Sequence, residues 1–165
     1  MTFTTADLCD AHAEEVTALA TYLRSFGGVD ACFGPASTVQ CYGDNSRVFE
    51  AVQEPGAGRV LVVDAGARRG PSMIGGGLAA QAAVNGWAGI IVNGYVRDTK
   101  ELASLHFAVF ALGTVPMRCL RRGEGRRDVD IDICDTLLRP GCWVFADADG
   151  ILVAARNLIE QPPVG

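Results

Sequence analysis

Histidine is nearly missing from this 165-residue chain, which carries only His12 and His106. Its six cysteines, at 9, 32, 41, 119, 134 and 142, form no C-x-x-C pair and do not cluster with either histidine, so zinc-site spacing is absent. The first residues, Met1 to Thr5, lack a basic start, and Asp7, Asp10, Glu14 and Glu15 follow at once, unlike a secretory leader. Reduced thiols in the cytoplasm are therefore expected. A basic balance is lacking too: the net charge is −5, which argues against direct nucleic-acid binding as the general mode of action. With 49% hydrophobic and 20% charged residues, the composition is that of a globular chain with a length suited to one domain.

Charge is absent altogether from Gly70 to Val96, 27 residues that run straight into Arg97-Asp98-Thr99-Lys100-Glu101. A membrane-spanning helix needs about 20 mostly apolar residues. Here seven glycines, Pro71, Asn85-Gly86 and Asn93-Gly94 break the run into several buried elements, and no membrane span is expected. Gly75-Gly76-Gly77 reads as a tight loop into an alanine-rich helix from Leu78 to Val84, stopped by Asn85 and Gly86. Ala88 to Val92 reads as a strand covered on both faces. Arg97 and Asp98 then fall just beyond the C-terminal end of that strand, where α/β folds collect ligands.

Around this centre the pattern is mixed. Thr5 to Tyr22 has helical character, with Thr4 or Thr5 as cap and Leu8, Val16, Leu19 and Leu23 as a buried stripe. Strands are expected near Ser37 to Tyr42, Arg59 to Asp64 and Phe107 to Leu112, and helices over Asn45 to Val52 and Asp98 to Leu105. The last third is β-rich: Val129, Ile131 and Ile133 alternate with aspartates, and Asp149-Gly150 joins Trp143–Phe145 to Ile151–Val153 as a hairpin. One domain over 1–160 with a loose tail at 161–165 is expected.

Asp98 and Glu101 have the spacing of a capping box, an acidic N-cap with Glu at N3. The same residues support chemistry: Arg97 offers a planar fork for a substrate carboxylate, and Asp98 a hard oxygen for a divalent cation. A capped helix would also hold such carboxylates rigidly. Gly75, Gly76, Gly77 and Leu78, at a helix start, leave amide donors free for an anion, although glycines alone would signal only close backbone approach. The Val62-Val63-Asp64-Ala65-Gly66 run lacks the further glycines of a nucleotide or adenosylmethionine fingerprint. Asp128, Asp130 and Asp132 lack the glycine and closing Glu of a calcium loop and read as a solvated strand face. Arg118, Arg121, Arg122, Arg126 and Arg127, interspersed with Gly123, Glu124 and Gly125, read as a solvated loop rather than a partner-binding patch. His106 has no nucleophile motif beside it and reads as structural.

Taken in order, Ala6-Asp7-Leu8-Cys9-Asp10, Phe26-Gly27-Gly28, Arg59–Asp64, Asn85–Val92, Val96-Arg97-Asp98 and Ala146–Ile151 resemble the RraA-like family. That family includes the regulator of ribonuclease E activity and the 4-hydroxy-4-methyl-2-oxoglutarate aldolases. The resemblance implies an α/β fold of the swivelling β/β/α type and a homotrimer or dimer of trimers. The aldolase members carry an acidic residue, twenty residues, then Arg-Asp. A variant pattern has Gly in the first place and an acid three after the Asp, and Gly76, Arg97, Asp98 and Glu101 match it.

The resemblance further implies a divalent cation (Mg2+ or Mn2+) held by Asp98 with Glu101. A 2-oxo acid would be held by Arg97 and the amides of Gly75 to Leu78, with cleavage through a pyruvate enolate, as in aldol cleavage or oxaloacetate decarboxylation. Lys100, directed outward by its helix, makes a Schiff-base aldolase the less favoured route. The alternative from a different class is a non-catalytic regulator that binds an endoribonuclease such as RNase E.

Overall fold

In a computed structural model describing residues 3–159, four strands in the middle of the sheet run parallel: β3 (Cys32–Gln40), β4 (Val60–Asp64), β5 (Gly89–Val96) and β6 (Ala108–Thr114). The tail expected at 161–165 and residue 160 lie outside the described residues. Antiparallel strands extend both edges. β2 (Arg24–Ser25) joins β6, and on the other side β10 (Trp143–Ala146), β11 (Ile151–Ala154) and β1 (Val16–Ala18) follow β3. A short β7 (Arg126–Arg127) also pairs with β3, and β8 (Ile131–Ile133) with β9 (Thr136–Leu138) makes a separate ribbon.

The central strands are apolar on both sides because both sides are covered. Leu61 and Val63 of β4 pack with Val48, Val52, Ala79, Ala82 and Leu102 of the helices α2 (Ser46–Gln53), α3 (Gly76–Val84) and α4 (Thr99–Ser104). Val60 and Val62 point the other way, into a core shared with Ile131, Ile133, Leu138, Val144 and Ile151. The layers are thus helix, sheet and β-ribbon, a single mixed α/β domain of the expected β/β/α order. No helix among the described residues is long and apolar enough to cross a membrane.

The differences from the sequence reading have local causes. The first helix, α1, covers only Thr5–Ala11, capped by Thr4 Oγ1, which accepts from Asp7 N–H at 3.0 Å. The stretch expected to continue it becomes β1, because Val16 to Ala18 complete the sheet edge beside β11. β3 begins at Cys32 rather than near Ser37, and Gly34-Pro35, which argue against a central strand, mark where it changes partner. Cys32–Pro35 pair with β10, and Ala36–Gln40 with β4. A Cβ on Gly34 would stand 2.2 Å from the Gly58 carbonyl oxygen, so no side chain fits at this bend.

β5 runs through Asn93-Gly94 to Val96 with a register shift between Val92 and Tyr95, where a turn was expected. Arg126 and Arg127 belong to a strand, not a solvated loop, and Arg127 forms a two-pronged ion pair with Glu54 at 2.8 and 2.7 Å. The β10–β11 hairpin forms as expected, with the Asp147 amide donating to Gly150 O at 3.0 Å.

Candidate active site

Three chain segments meet at the C-terminal end of β5. The Arg97 amide donates to Ile74 O at 3.0 Å and the Met73 amide to Tyr95 O at 2.8 Å, so residues 73–74 lie against the strand end. On their other side Ser72 N–H donates to Met117 O at 2.8 Å, which brings in the segment after β6. The chain then turns at Gly75 into α3 and, after β5, at Asp98 into α4. The N-termini of two helices and a strand end therefore share one corner.

Gly76 and Gly77 are the first helical residues of α3, with Gly75 as N-cap, rather than a loop ahead of it. Gly75 has no side chain to cap with, and Asp98 does the capping from across the corner: Gly76 N–H donates to Asp98 Oδ2 at 3.1 Å. The first amides of a helix have no partner within it. Those of Gly77 and Leu78 stay unpaired among the described residues and add the positive end of the helix dipole.

The capping box expected at Asp98 and Glu101 does not form. Asp98 stands at the N-cap of α4 in a left-handed conformation (φ 60°, ψ 44°), and its side chain caps α3 instead of its own helix. Glu101 folds back over α3. A Cβ on Gly76 would fall 2.0 Å from Glu101 Oε2 and 2.7 Å from Glu101 Cβ, so glycine at 76 is what makes room for this carboxylate. A Cβ on Gly75 would meet Asp98 Oδ2 at 2.5 Å. Arg97 Nε lies 3.6 Å from Asp98 Oδ2, both side chains being 36% exposed.

This corner opens into a cleft of about 750 Å³ lined by Gly75, Gly77, Leu78, Arg97 and Asp98. Lys100 and His106 are exposed and do not line it. Arg118, Arg121 and Arg122, which the sequence reading left in a solvated loop, do line it, with Asn45, Phe49 and Leu120. The only hint of this in the sequence was their number, since what brings them here is the long-range pairing of Asp44 with Leu120.

Asp44 secures that wall. Its carboxylate is fully enclosed and accepts from the amides of Arg122 and, at 2.8 Å, Ser46, while Ser46 Oγ accepts from Gly123 N–H at 2.9 Å. Burial pushes the Asp44 carboxyl up, but the hydrogen bonds from Ser46, Arg122 and Glu124 outweigh it and hold it below the usual carboxylate range. A carboxyl depressed on folding stabilises the fold above its unfolded pKa and loses that contribution as pH falls through the folded value. Asp44→Ala should therefore lower stability by about 2–4 kcal/mol at neutral pH. The difference from the parent should shrink on acidification below the ordinary carboxylate range, as read by urea unfolding at several pH values.

Asp98 offers the cleft one hard carboxylate that fits a divalent cation keeping several waters, the habit of Mg2+, whereas Glu101, expected to share the cation, does not line the cleft. Asp98 Oδ1 accepts no hydrogen bond from the described residues, which leaves it available. No group of three or more His, Cys, Asp or Glu able to hold a metal occurs among the described residues.

The fold is thus a layered α/β domain with an arginine-lined cleft over a helix N-terminus. A family model described as RraA-like: Aldolase/RraA matches residues 5–153, and the chain belongs to that family. A curated relative from Burkholderia multivorans named "Putative 4-hydroxy-4-methyl-2-oxoglutarate aldolase" is 46% identical over 163 residues, 96% of this chain and 99% of its own. Two solved structures superpose closely. One is an S-adenosylmethionine: 2-dimethylmenaquinone methyltransferase from Geobacillus kaustophilus (TM-score 0.93, 37% identity, covering 97% of this chain and 99% of that one). The other is the RNA-processing inhibitor RraA from Thermus thermophilis (TM-score 0.92, 35% identity, 99% and 98%).

Proposed function

We propose that this protein is a divalent-cation-dependent lyase that cleaves 2-oxo acids with release of pyruvate, 4-hydroxy-4-methyl-2-oxoglutarate and oxaloacetate being substrates to test first. The observation that carries the reading is the convergence of Arg97, Asp98 and the unpaired amides of Gly77 and Leu78 on one end of the cleft. The names of the curated relatives point the same way.

In this reading Asp98 would hold the cation, which when bound supplies electrophilic charge to the carboxylate and carbonyl oxygens of the substrate. The Gly77 and Leu78 amides orient the substrate carboxylate at the helix N-terminus. The Arg97 fork faces the oxygen that gains charge as the carbon–carbon bond breaks and the electron pair moves into a pyruvate enolate. Aldol cleavage and decarboxylation both produce that enolate, so one site serves both. Lys100 lies outside the cleft, which argues against an imine route.

Methyl transfer from adenosylmethionine, suggested by the name of one structural neighbour, has less support. The carboxylate at the end of β4, Asp64, is buried and already bonded to Gly66 N–H (2.9 Å), Asn93 Nδ2 (3.1 Å) and Tyr42 OH (3.3 Å), leaving little capacity for a ribose. The likeness to RraA favours a second reading, inhibition of an endoribonuclease such as RNase E through the outer surface. Assembly as a homotrimer or dimer of trimers belongs to either reading.

Pyruvate release measured with Mg2+ or Mn2+, and again with excess chelator, tests the lyase. The expected result is turnover above the metal-only rate that the chelator abolishes. No turnover, together with ribonuclease inhibition indifferent to chelator, would overturn it in favour of the regulator.

A further inference from the structure

We propose that Arg121 binds a second, distal carboxylate of the substrate and so sets a preference for 2-oxo dicarboxylates over 2-oxo monocarboxylates. The proposal rests on the lyase reading for what the Arg97 end of the cleft holds.

Arg121 has no acid beside it among the described residues, unlike the arginines that form ion pairs. Arg47 pairs with Glu50, Arg127 with Glu54 and Arg156 with Glu15, each at 2.7 Å. Arg121 has no carboxylate partner among the described residues, yet it is held in place. Its guanidinium carbon sits 4.1 Å from the centre of the Phe49 ring, and its Nε donates to Asn45 Oδ1 at 3.4 Å. Asn45 is itself buried and fixed by a bond from its Nδ2 to Met73 O at 3.0 Å. Among the described residues Arg121 uses only Nε, so the two terminal nitrogens of the fork are available to a carboxylate.

Holding the cation beforehand removes much of the ordering cost that an ion pair on a flexible arm would carry. The Phe49 face adds attraction without neutralising the charge. The backbone around Arg121 is equally constrained, because Asp44 and Ser46 anchor the amides of Arg122 and Gly123 and Asn45 N–H donates to Leu120 O at 3.3 Å.

The charge balance of the cleft calls for a second anionic group. Among its lining residues Arg97, Arg118, Arg121 and Arg122 face a single carboxylate, Asp98, with which Arg97 is paired. Arg122 lies 3.9 Å from Glu124 in a pair that is 61% exposed at both ends. Among the described residues no ring or amide holds the head of Arg118, which leaves Arg121 as the pre-set cation. A cleft of about 750 Å³ also has room beyond what a three-carbon 2-oxo acid would occupy at the Arg97 end.

The test is a binding measurement that needs no turnover. 2-Oxoglutarate and 2-oxopentanoate have the same chain length and 2-oxo end and differ in the distal group, and neither carries the 4-hydroxyl that aldol cleavage requires. Calorimetry with Mg2+ present should show the parent protein binding 2-oxoglutarate about 10- to 100-fold more tightly. In Arg121→Gln that advantage should disappear while 2-oxopentanoate binds within about twofold of the parent, which also reports an intact fold. Arg121→Lys should restore part of it. An undiminished preference in Arg121→Gln, or equal weakening of both acids, would overturn the proposal. Failure of both acids to bind the parent would overturn it together with the lyase reading. Selective binding of 2-oxoglutarate without any cleavage of 4-hydroxy-4-methyl-2-oxoglutarate would sink the lyase reading alone.

Discussion

Arg97→Ala is expected to lower metal-dependent pyruvate release by about a hundredfold to a thousandfold, the loss that follows when one preorganised donor is taken from a developing oxyanion. The structure gives little reason for the fold to suffer. The Arg97 backbone stays fixed by its bond to Ile74 O, and the side chain contributes a half-exposed contact to Asp98 at 3.6 Å. Pairs of that kind contribute less than about 1 kcal/mol. A melting curve within a few degrees of the parent, alongside the collapse in rate, would separate chemistry from stability. Retention of more than about a tenth of the rate would remove Arg97 from the mechanism.

The second large effect is expected from Asp98→Asn, chosen because it separates two duties of one side chain. Asparagine tolerates the left-handed backbone at φ 60° and ψ 44°, and its amide oxygen can still accept from Gly76 N–H. The fold should therefore be preserved to within about 1 kcal/mol. The negative charge is gone, however, and with it the hard anionic ligand. Activity should fall by about a hundredfold or more, and the Mn2+ concentration needed for half-activation should rise by about tenfold or more. Asp98→Ala would lose the cap as well and cost about 1 kcal/mol besides. Unchanged metal dependence in Asp98→Asn would place the cation elsewhere.

How much of this could be read from the sequence depended on how local each feature is. Arg59–Asp64, Phe107–Leu112 and the hairpin around Asp149-Gly150 were legible because a two-face-buried strand and a turn dipeptide are each written within ten residues. The position of Arg97 and Asp98 past a strand end was legible for the same reason. The change of partner along β3 was not, since Gly34-Pro35 signals a break whether the chain ends or bends. Val16 to Ala18 read as helix because their spacing fits one, and only the distant Ile151–Ala154 edge makes them a strand.

At the site, the capping-box spacing of Asp98 and Glu101 misled in a specific way. Both carboxylates turn toward the glycines of α3, 22 and 25 residues earlier in the chain, because glycine at 75 and 76 leaves the space that a Cβ would fill. The arginines at 118, 121 and 122 were the largest omission, as their place depends on Asp44 and Asn45, more than seventy residues away.

The distance along the chain between the two ends of the cleft has a practical side. Everything proposed to make and break bonds comes from residues 75–101, whereas the far wall comes from 44–49 and 117–123, segments joined to the first set through Ser72 and Met73 and through the packing of α2 on α3. In the proposed scheme, selection of the distal group and cleavage of the bond are thus encoded in separate stretches of the gene. A library confined to codons 117–123, with Asp44 and Ser46 kept to hold the loop, would vary the acid that is selected while leaving the bond-cleaving end in its native setting.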